Sequence, residues 1–311
     1  MQTNKTCIIL EQYLNYLSII KGRSDNTIKE YRTDILMFFS FLADLKSLTY
    51  NKLDFSWADI NFIKSISIND IYQFMAHCQD SLKELPGTRS RKIVSLRQFW
   101  KYLRTKANLI TDNITEGLEA PRLPKHVPKY LSLEESVRLL IECKASPRDH
   151  CIITLFLNCA LRLSELASLN VEQIGNDSIT ISGKGSKERK IFLTPAAKKA
   201  VFRWLQIRNN MQIKTDALFI SRSHTKISTR GIQNIVKKYV KAAGLDDANI
   251  STHKLRHTAA TLMYKYGKVD IRSLQQILGH ESIATTEIYT HVDEQQLQSA
   301  VNSNPLALMF N

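Results

Sequence analysis

Apolar residues recur at helical spacing through most of the chain. The first run spans Cys7–Ile20. Ser24 and Asn26 then precede a long amphipathic stretch, TIKEYRTDILMFFSFLADL, with N-terminal capping chemistry in front of it. The period lapses over residues 45–66, where Trp57 and Phe62 are expected to pack locally. It resumes over Asn69–Cys78 and Thr88–Lys106. GLEAPRLPKHVP, residues 117–128, holds three of the seven prolines and no helical period. Each proline biases its predecessor toward extended backbone, so this stretch reads as an interdomain linker. Beyond it, Ser132 and Glu135 form a capping box for a helix through Cys143. Pro147 suits the first position of a helix ending near Leu161. SITISGKGSKERKIFLT alternates around Gly183–Lys184–Gly185, which predicts a β-hairpin over 178–193. Thr194–Pro195 opens another helix. Three more follow, each stopped by a glycine: Thr229–Ala243 by Gly244, Thr252–Tyr266 by Gly267 and Asp270–Leu278 by Gly279. The pattern predicts a mainly α protein: a helical domain over 1–116, a linker over 117–128, and a mostly helical domain over 129–311 with one small antiparallel sheet.

Hydrophobic content of 43% and charged content of 23% suit a soluble globular protein, and 311 residues allow two cores. The longest nearly apolar run, Cys151–Leu161, is too short to span a bilayer, and no signal-peptide pattern opens the chain. A cytoplasmic protein without a membrane partner is expected. The net charge of +14 changes the picture, because it calls for a polyanionic partner. Nucleic acid is the first candidate and an anionic membrane surface the second. Residues 1–120 hold 16 Lys+Arg against 13 Asp+Glu, and the remainder 27 against 16, so phosphate chemistry is expected in the second domain. Five cysteines without a C-x-x-C read as buried reduced thiols, not a zinc site.

The Thr88–Lys106 helix carries Arg89, Arg91, Lys92, Arg97, Lys101, Arg104 and Lys106 and no carboxylate. Leu96, Phe99, Trp100 and Leu103 form its apolar stripe. Its basic residues are expected to meet phosphates rather than form an idle solvated face. In THKLRHTAATL, His253, Arg256 and His257 share one face near a helix N-terminus, a place that favours an anion. Zinc held by the two histidines is disfavoured, because Arg256 would set a cation beside the metal. His257 suits a core role, bracing the helix. Arg162 lies in an apolar stretch, NCALRLSELASL. It must pair with Glu165, face a ligand anion, or do both. The hairpin turn presents Lys184, Lys187, Arg189 and Lys190. Lys184 is best placed to protonate a leaving oxygen, if neighbouring arginines lower its pKa from about 10.4. In ILGHESIATTEIYTHV, Gly279 releases His280, and Ile283–Tyr289 is expected to form a short helix that returns Tyr289 to the site. Taken alone, Tyr289 reads as a packing residue. It becomes a nucleophile only if arginines stabilise its phenolate and a base takes its proton. Tyr264 and Tyr266 lie in the body of a helix and suit the role less.

ALRLSEL, GKGSKERK, HKLRH, LGH and a tyrosine nine residues after that histidine stand in one order. That order resembles the tyrosine recombinases, in particular bacterial Xer-type enzymes and related phage or transposon integrases. The resemblance covers nearly the whole chain, and NTIKEYRTDILMFFSFL is similar to the start of the family's helical DNA-clamp, or SAM-like, domain. It implies a tyrosine recombinase catalytic fold in the second domain. It implies that Arg162 and Arg256 clamp phosphate, that Lys184 is the general acid, and that His253 and His280 are hydrogen-bonding and proton-transfer partners. Tyr289 is then the nucleophile, with Glu165 and His257 in support. DNA contacts are expected from Arg89, Arg91, Lys92, Arg97, Lys101, Lys187 and Arg189. Ala160 departs from the family pattern, which has glycine before Leu-Arg. The implied reaction needs no metal or other cofactor. Tyr289 forms a 3′-phosphotyrosyl link, and a 5′-hydroxyl later reseals it. The implied partners are double-stranded DNA and a homo- or hetero-tetramer on two sites. The C-terminal tail from about residue 293, with Leu306, Leu308, Met309 and Phe310, is expected to dock on its own chain or, as the resemblance implies, on a neighbouring subunit. Xer-type resolution of chromosome or plasmid dimers in the bacterial nucleoid is the leading function, with a mobile-element integrase or excisionase as the alternative. A type IB topoisomerase-like enzyme fits the tail and clamp domain poorly. A silent DNA-binding protein fits the complete residue set poorly.

Overall fold

The computed structural model describes residues 7–47, 54–121, 130–182, 188–211, 213–245, 250–267, 269–280, 282–286 and 289. The chain forms two compact units, Met1–Lys125 and His126–Asn311. Most of the proline-bearing stretch, the hairpin turn with Lys184 and Lys187, and the tail lie outside the described residues.

Among the described residues, five α-helices build the first unit: α1 (Ile8–Asn15), α2 (Asp25–Leu45), α3 (Ile60–Lys64), α4 (Ile68–Asp80) and α5 (Pro86–Thr105). α1 runs on as a π-helical turn over Tyr16–Ile20. Ser24 caps α2 by accepting the Thr27 N–H, and Ser67 with Asp70 forms a capping box for α4. α3 lies inside the stretch whose period lapses. Its Asp59 side chain caps it, and Trp57 packs edge-on against Phe62 with ring centroids 4.8 Å apart. Tyr13, Phe38, Phe39, Phe74, Phe99 and Trp100 fill the core, so the apolar stripe of α5 is buried as its spacing predicts.

The basic face of α5 needs correction. Lys92 is buried, with its Nζ 2.7 Å from Glu84, so it is not available to phosphate. Arg91 pairs with Glu30 and the buried Asp34, Arg104 with Glu116, and Arg89 donates to Gln79. α5 brings no carboxylate of its own, but neighbouring elements supply four. Arg97 and Lys101 make no ion pair among the described residues. Lys101 lines a cleft of about 160 Å³ with Lys21, Arg23, Lys106 and Tyr102.

The second unit contains α6 (Leu133–Cys143), α7 (Pro147–Cys159), α8 (Leu163–Ser168), α9 (Pro195–Asn209), α10 (Thr229–Ala242), α11 (Thr252–Gly267) and α12 (Ile271–Leu278). Strands β1 (Ser178–Ser182) and β2 (Glu188–Phe192) pair antiparallel, with Ser178 opposite Phe192 and Ile181 opposite Arg189. The Ser132–Glu135 capping box forms as predicted. α7 is the central helix. It is buried from Cys151 to Leu157 and packs against α6, α9 and α11. Five cysteines are free and buried. A small separate cluster of Ala160, Ala259, Ala260, Leu274, Leu278 and Tyr289 joins the end of α7 to α11 and α12. Among the described residues, no helix is long and apolar enough to cross a membrane.

Candidate active site

The site forms where helix ends meet. α7 stops at Ala160, which adopts a left-handed backbone with φ +50°. A side chain there costs about 1 kcal/mol, which is the physical reason glycine suits this position. The turn makes Arg162 the N-cap residue of α8, a helix too short for periodicity to reveal. The Arg162 backbone N–H donates to Glu165 Oε2 at 2.7 Å, and its Nη1 donates to Oε1 at 2.8 Å. Its Nη2 donates to the Gly279 carbonyl at 2.6 Å. The predicted pairing with Glu165 is therefore present, while the side chain stays 40% exposed.

Arg189 is corrected from a DNA-facing residue of the hairpin to an inward one. It donates twice to Glu165, at 2.9 Å to each oxygen. Arg256 Nη1 approaches the same carboxylate at 3.8 Å, so one nearly buried glutamate faces three guanidiniums. Burial opposes the Glu165 charge, but hydrogen bonds from Arg189 and Arg162 outweigh it and hold the carboxyl below its usual range. Gly279 stops α12 with φ +61°, and a Cβ there would lie 3.0 Å from the Arg189 guanidinium. Backbone conformation and close approach both require glycine at that point.

Arg256 is only 4% exposed. It donates to the Ala160 carbonyl at 2.7 Å and the Leu278 carbonyl at 2.6 Å. These are the C-terminal ends of α7 and α12, where helix dipoles favour a cation. Burial and the neighbouring Arg162 push its pKa down to about 10.

The histidines complete the cluster. His280 Nδ1 lies 2.9 Å from Thr286 Oγ1, and the Thr286 side chain is fully buried. No sequence signal marked Thr286 as the group that orients His280. His257 is corrected from a core brace: its Nδ1 lies 2.6 Å from the Tyr289 hydroxyl, and its Nε2 lies 2.9 Å from His253 Nε2. Tyr289 is 3% exposed, and burial raises its phenol to about 12. Of the expected helix over Ile283–Tyr289, the described residues form a 3₁₀ turn at Ile283–Thr285, and the Tyr289 N–H donates to the Thr286 carbonyl at 3.0 Å. Tyr266 is 69% exposed and Tyr264 packs on the small cluster, so neither replaces Tyr289.

Burial, then the surrounding cations, push His257 and His280 from 6.5 down to about 4. The folded chain holds both neutral where the unfolded chain would protonate them. Stability is therefore expected to fall as pH drops from 6.5 to 4, by ~1 kcal/mol per histidine after allowing for solvent screening. Urea midpoints at stepped pH check this. The doubly substituted His257→Gln, His280→Gln protein should lose that part of the slope.

Chemically, the arrangement offers guanidinium donors for a developing oxyanion, neutral imidazoles and a hydrogen-bonded phenol. The phage integrase family profile matches residues 129–296, and the phage integrase N-terminal SAM-like domain matches residues 10–107. A tyrosine recombinase XerC from Caldanaerobacter subterraneus subsp. tengcongensis is 46% identical, covering 99% of this chain and 89% of that relative. The XerC of Escherichia coli O127:H6 is 30% identical over 94% of this chain and 95% of its own. A crystal structure of XerA recombinase aligns with TM-score 0.52 at 26% identity, over 94% of this chain and 96% of that one. XerH bound to its difH substrate before cleavage aligns with TM-score 0.69 at 23% identity, over 94% and 84%, and shares the fold.

Proposed function

The chain belongs to the phage integrase family and is a tyrosine recombinase of Xer type, and from that premise we propose how its residues divide the work of cutting and rejoining DNA. Tyr289 attacks a phosphodiester in double-stranded DNA, forming a 3′-phosphotyrosyl link and releasing a 5′-hydroxyl. Arg162 and Arg256 hold the non-bridging oxygens. A guanidinium has five N–H groups, so each arginine keeps donors beyond those spent on Glu165 and on carbonyls. Each such oxyanion donor is worth about 10²–10³ in rate. Lys184, in the turn between β1 and β2, gives its proton to the departing 5′ oxygen. His253 and His280 hydrogen-bond the phosphate. The observation that carries this assignment is the convergence of Arg162, Arg256, His253 and His280 around a tyrosine whose hydroxyl is already hydrogen-bonded.

The first unit acts as the DNA clamp, with residues 1–116 as its domain and 117–128 as linker. The Lys21, Arg23, Lys101 and Lys106 cleft supports this, with Arg97 as a further contact. A lambda integrase tetramer bound to a Holliday junction shares the fold at 16% identity, and four copies on two duplexes is the assembly proposed here. Resolution of chromosome or plasmid dimers in the nucleoid fits the XerC relatives better than integration of a mobile element does. Lambda integrase and the Tn1549 integrase share the fold at 15–17% identity. Leu306, Leu308, Met309 and Phe310 dock on a neighbouring subunit. Truncation after Val292 is then expected to weaken pairing of two sites more than binding of one, as read by gel shift. Equal loss of both would sink the docking proposal. The covalent step is tested with nicked DNA carrying the protein's binding site, selected from genomic DNA. Wild-type protein should become trapped through Tyr289, and absence of any adduct overturns the assignment.

A further inference from the structure

Attack by Tyr289 requires its phenolic proton to leave. His280, 2.9 Å from Thr286, does not meet that hydroxyl. The group that does is His257, whose Nδ1 lies 2.6 Å from Tyr289 Oη. With the phenol as donor in that contact, neutral His257 carries its own proton on Nε2. Nε2 faces His253 Nε2 at 2.9 Å, with the two rings edge-on. His253 is exposed. The three side chains therefore form a continuous chain of contacts from a buried hydroxyl to the open face of the site. We propose that His257 accepts the Tyr289 proton during strand cleavage and passes charge outward to His253.

The step balances. A lone pair on Tyr289 Oη forms the new bond to phosphorus, and the bond to the 5′ oxygen breaks. The electron pair leaves with that oxygen, which is protonated by Lys184. The phenolic proton moves to His257 Nδ1 as the Nε2 proton moves to His253. In resealing, the same chain runs backwards and returns the proton to the leaving tyrosine. His257 is faced by His253, Lys254 and Arg256 from its own helix, by His280 beyond α12, and by Tyr289. Burial, and then that surround, keep the imidazole neutral and able to accept before DNA arrives. A bound phosphate offsets the surround, raising the basicity of His257 when it is needed.

This inference rests on Tyr289 being the nucleophile. It is tested by single-turnover formation of the covalent complex on nicked DNA, between pH 6 and 10, with wild-type, His257→Phe and His257→Gln proteins. A second substrate carries a 5′-bridging phosphorothiolate, whose sulfur leaves without a proton. Both variants should lose about 10²-fold or more. The deficit should persist on the sulfur substrate, where that of Lys184→Ala is relieved. It should shrink as pH rises and hydroxide replaces the imidazole. A His257→Phe rate equal to or above wild type overturns the proposal, the second case making the contact a brake. Relief by sulfur overturns it as well. If the variants do not bind DNA in a gel shift, wild-type protein on the sulfur substrate decides. Slower cleavage in D₂O is expected, and no isotope effect overturns the proposal. An adduct mapped to another residue instead defeats the Tyr289 assignment itself.

Discussion

Tyr289→Phe is expected to abolish the covalent protein–DNA complex and leave binding to a single site intact. The substitution removes one oxygen and keeps the ring, which packs with Ala160, Ala259, Ala260, Leu274 and Leu278. The fold loses one hydrogen bond, worth about 1 kcal/mol, while His257 loses the partner at its Nδ1. Chemistry loses everything, because removing the nucleophile of a covalent enzyme costs on the order of 10⁶ in rate. A denaturing gel of protein trapped on nicked DNA separates the two effects. If the phenylalanine protein still becomes trapped, the nucleophile lies elsewhere.

Glu165→Ala is expected to damage fold and reaction together. This carboxylate is 10% exposed and receives Arg162 and Arg189 directly, with Arg256 at 3.8 Å. Removing it leaves two largely buried guanidiniums without this counter-charge, since Arg189 is 18% and Arg256 4% exposed in their side chains. Loss of one partner from a buried ion network costs ~3–5 kcal/mol. Cleavage is expected to fall at least ~10²-fold, because Arg162 loses its anchor. Glu165→Gln keeps shape and one acceptor but no charge, so it should fall between. The Glu165 pKa is depressed, so its stabilisation is full above the usual carboxylate range and is lost as pH falls through the folded value. A urea midpoint for Glu165→Ala equal to wild type would remove the carboxylate from the centre of this account.

Much of the fold was legible because helices announce their ends. Ser132 with Glu135, Pro147 and Gly279 all act as their chemistry predicts. α8 was not legible: its six residues span less than two turns, and an arginine stands where a small polar cap is usual. Two misplaced cations left signals. Lys92 precedes Leu96, Phe99 and Leu103 by four, seven and eleven residues, which puts it on the buried stripe of α5. Arg189 lies two residues from Ile191, hence on the same inward face of β2. The Arg162–Glu165 pair was readable from spacing alone. The His257–Tyr289 contact joins residues 32 apart through a path that no local pattern encodes.

The end of α12 ties these pieces together. The carbonyl of Leu278 holds Arg256, the carbonyl of Gly279 holds Arg162, and the next residue is His280. Because the two carbonyls and His280 stand on consecutive residues, any displacement of this helix end disturbs both arginine anchors and the histidine together.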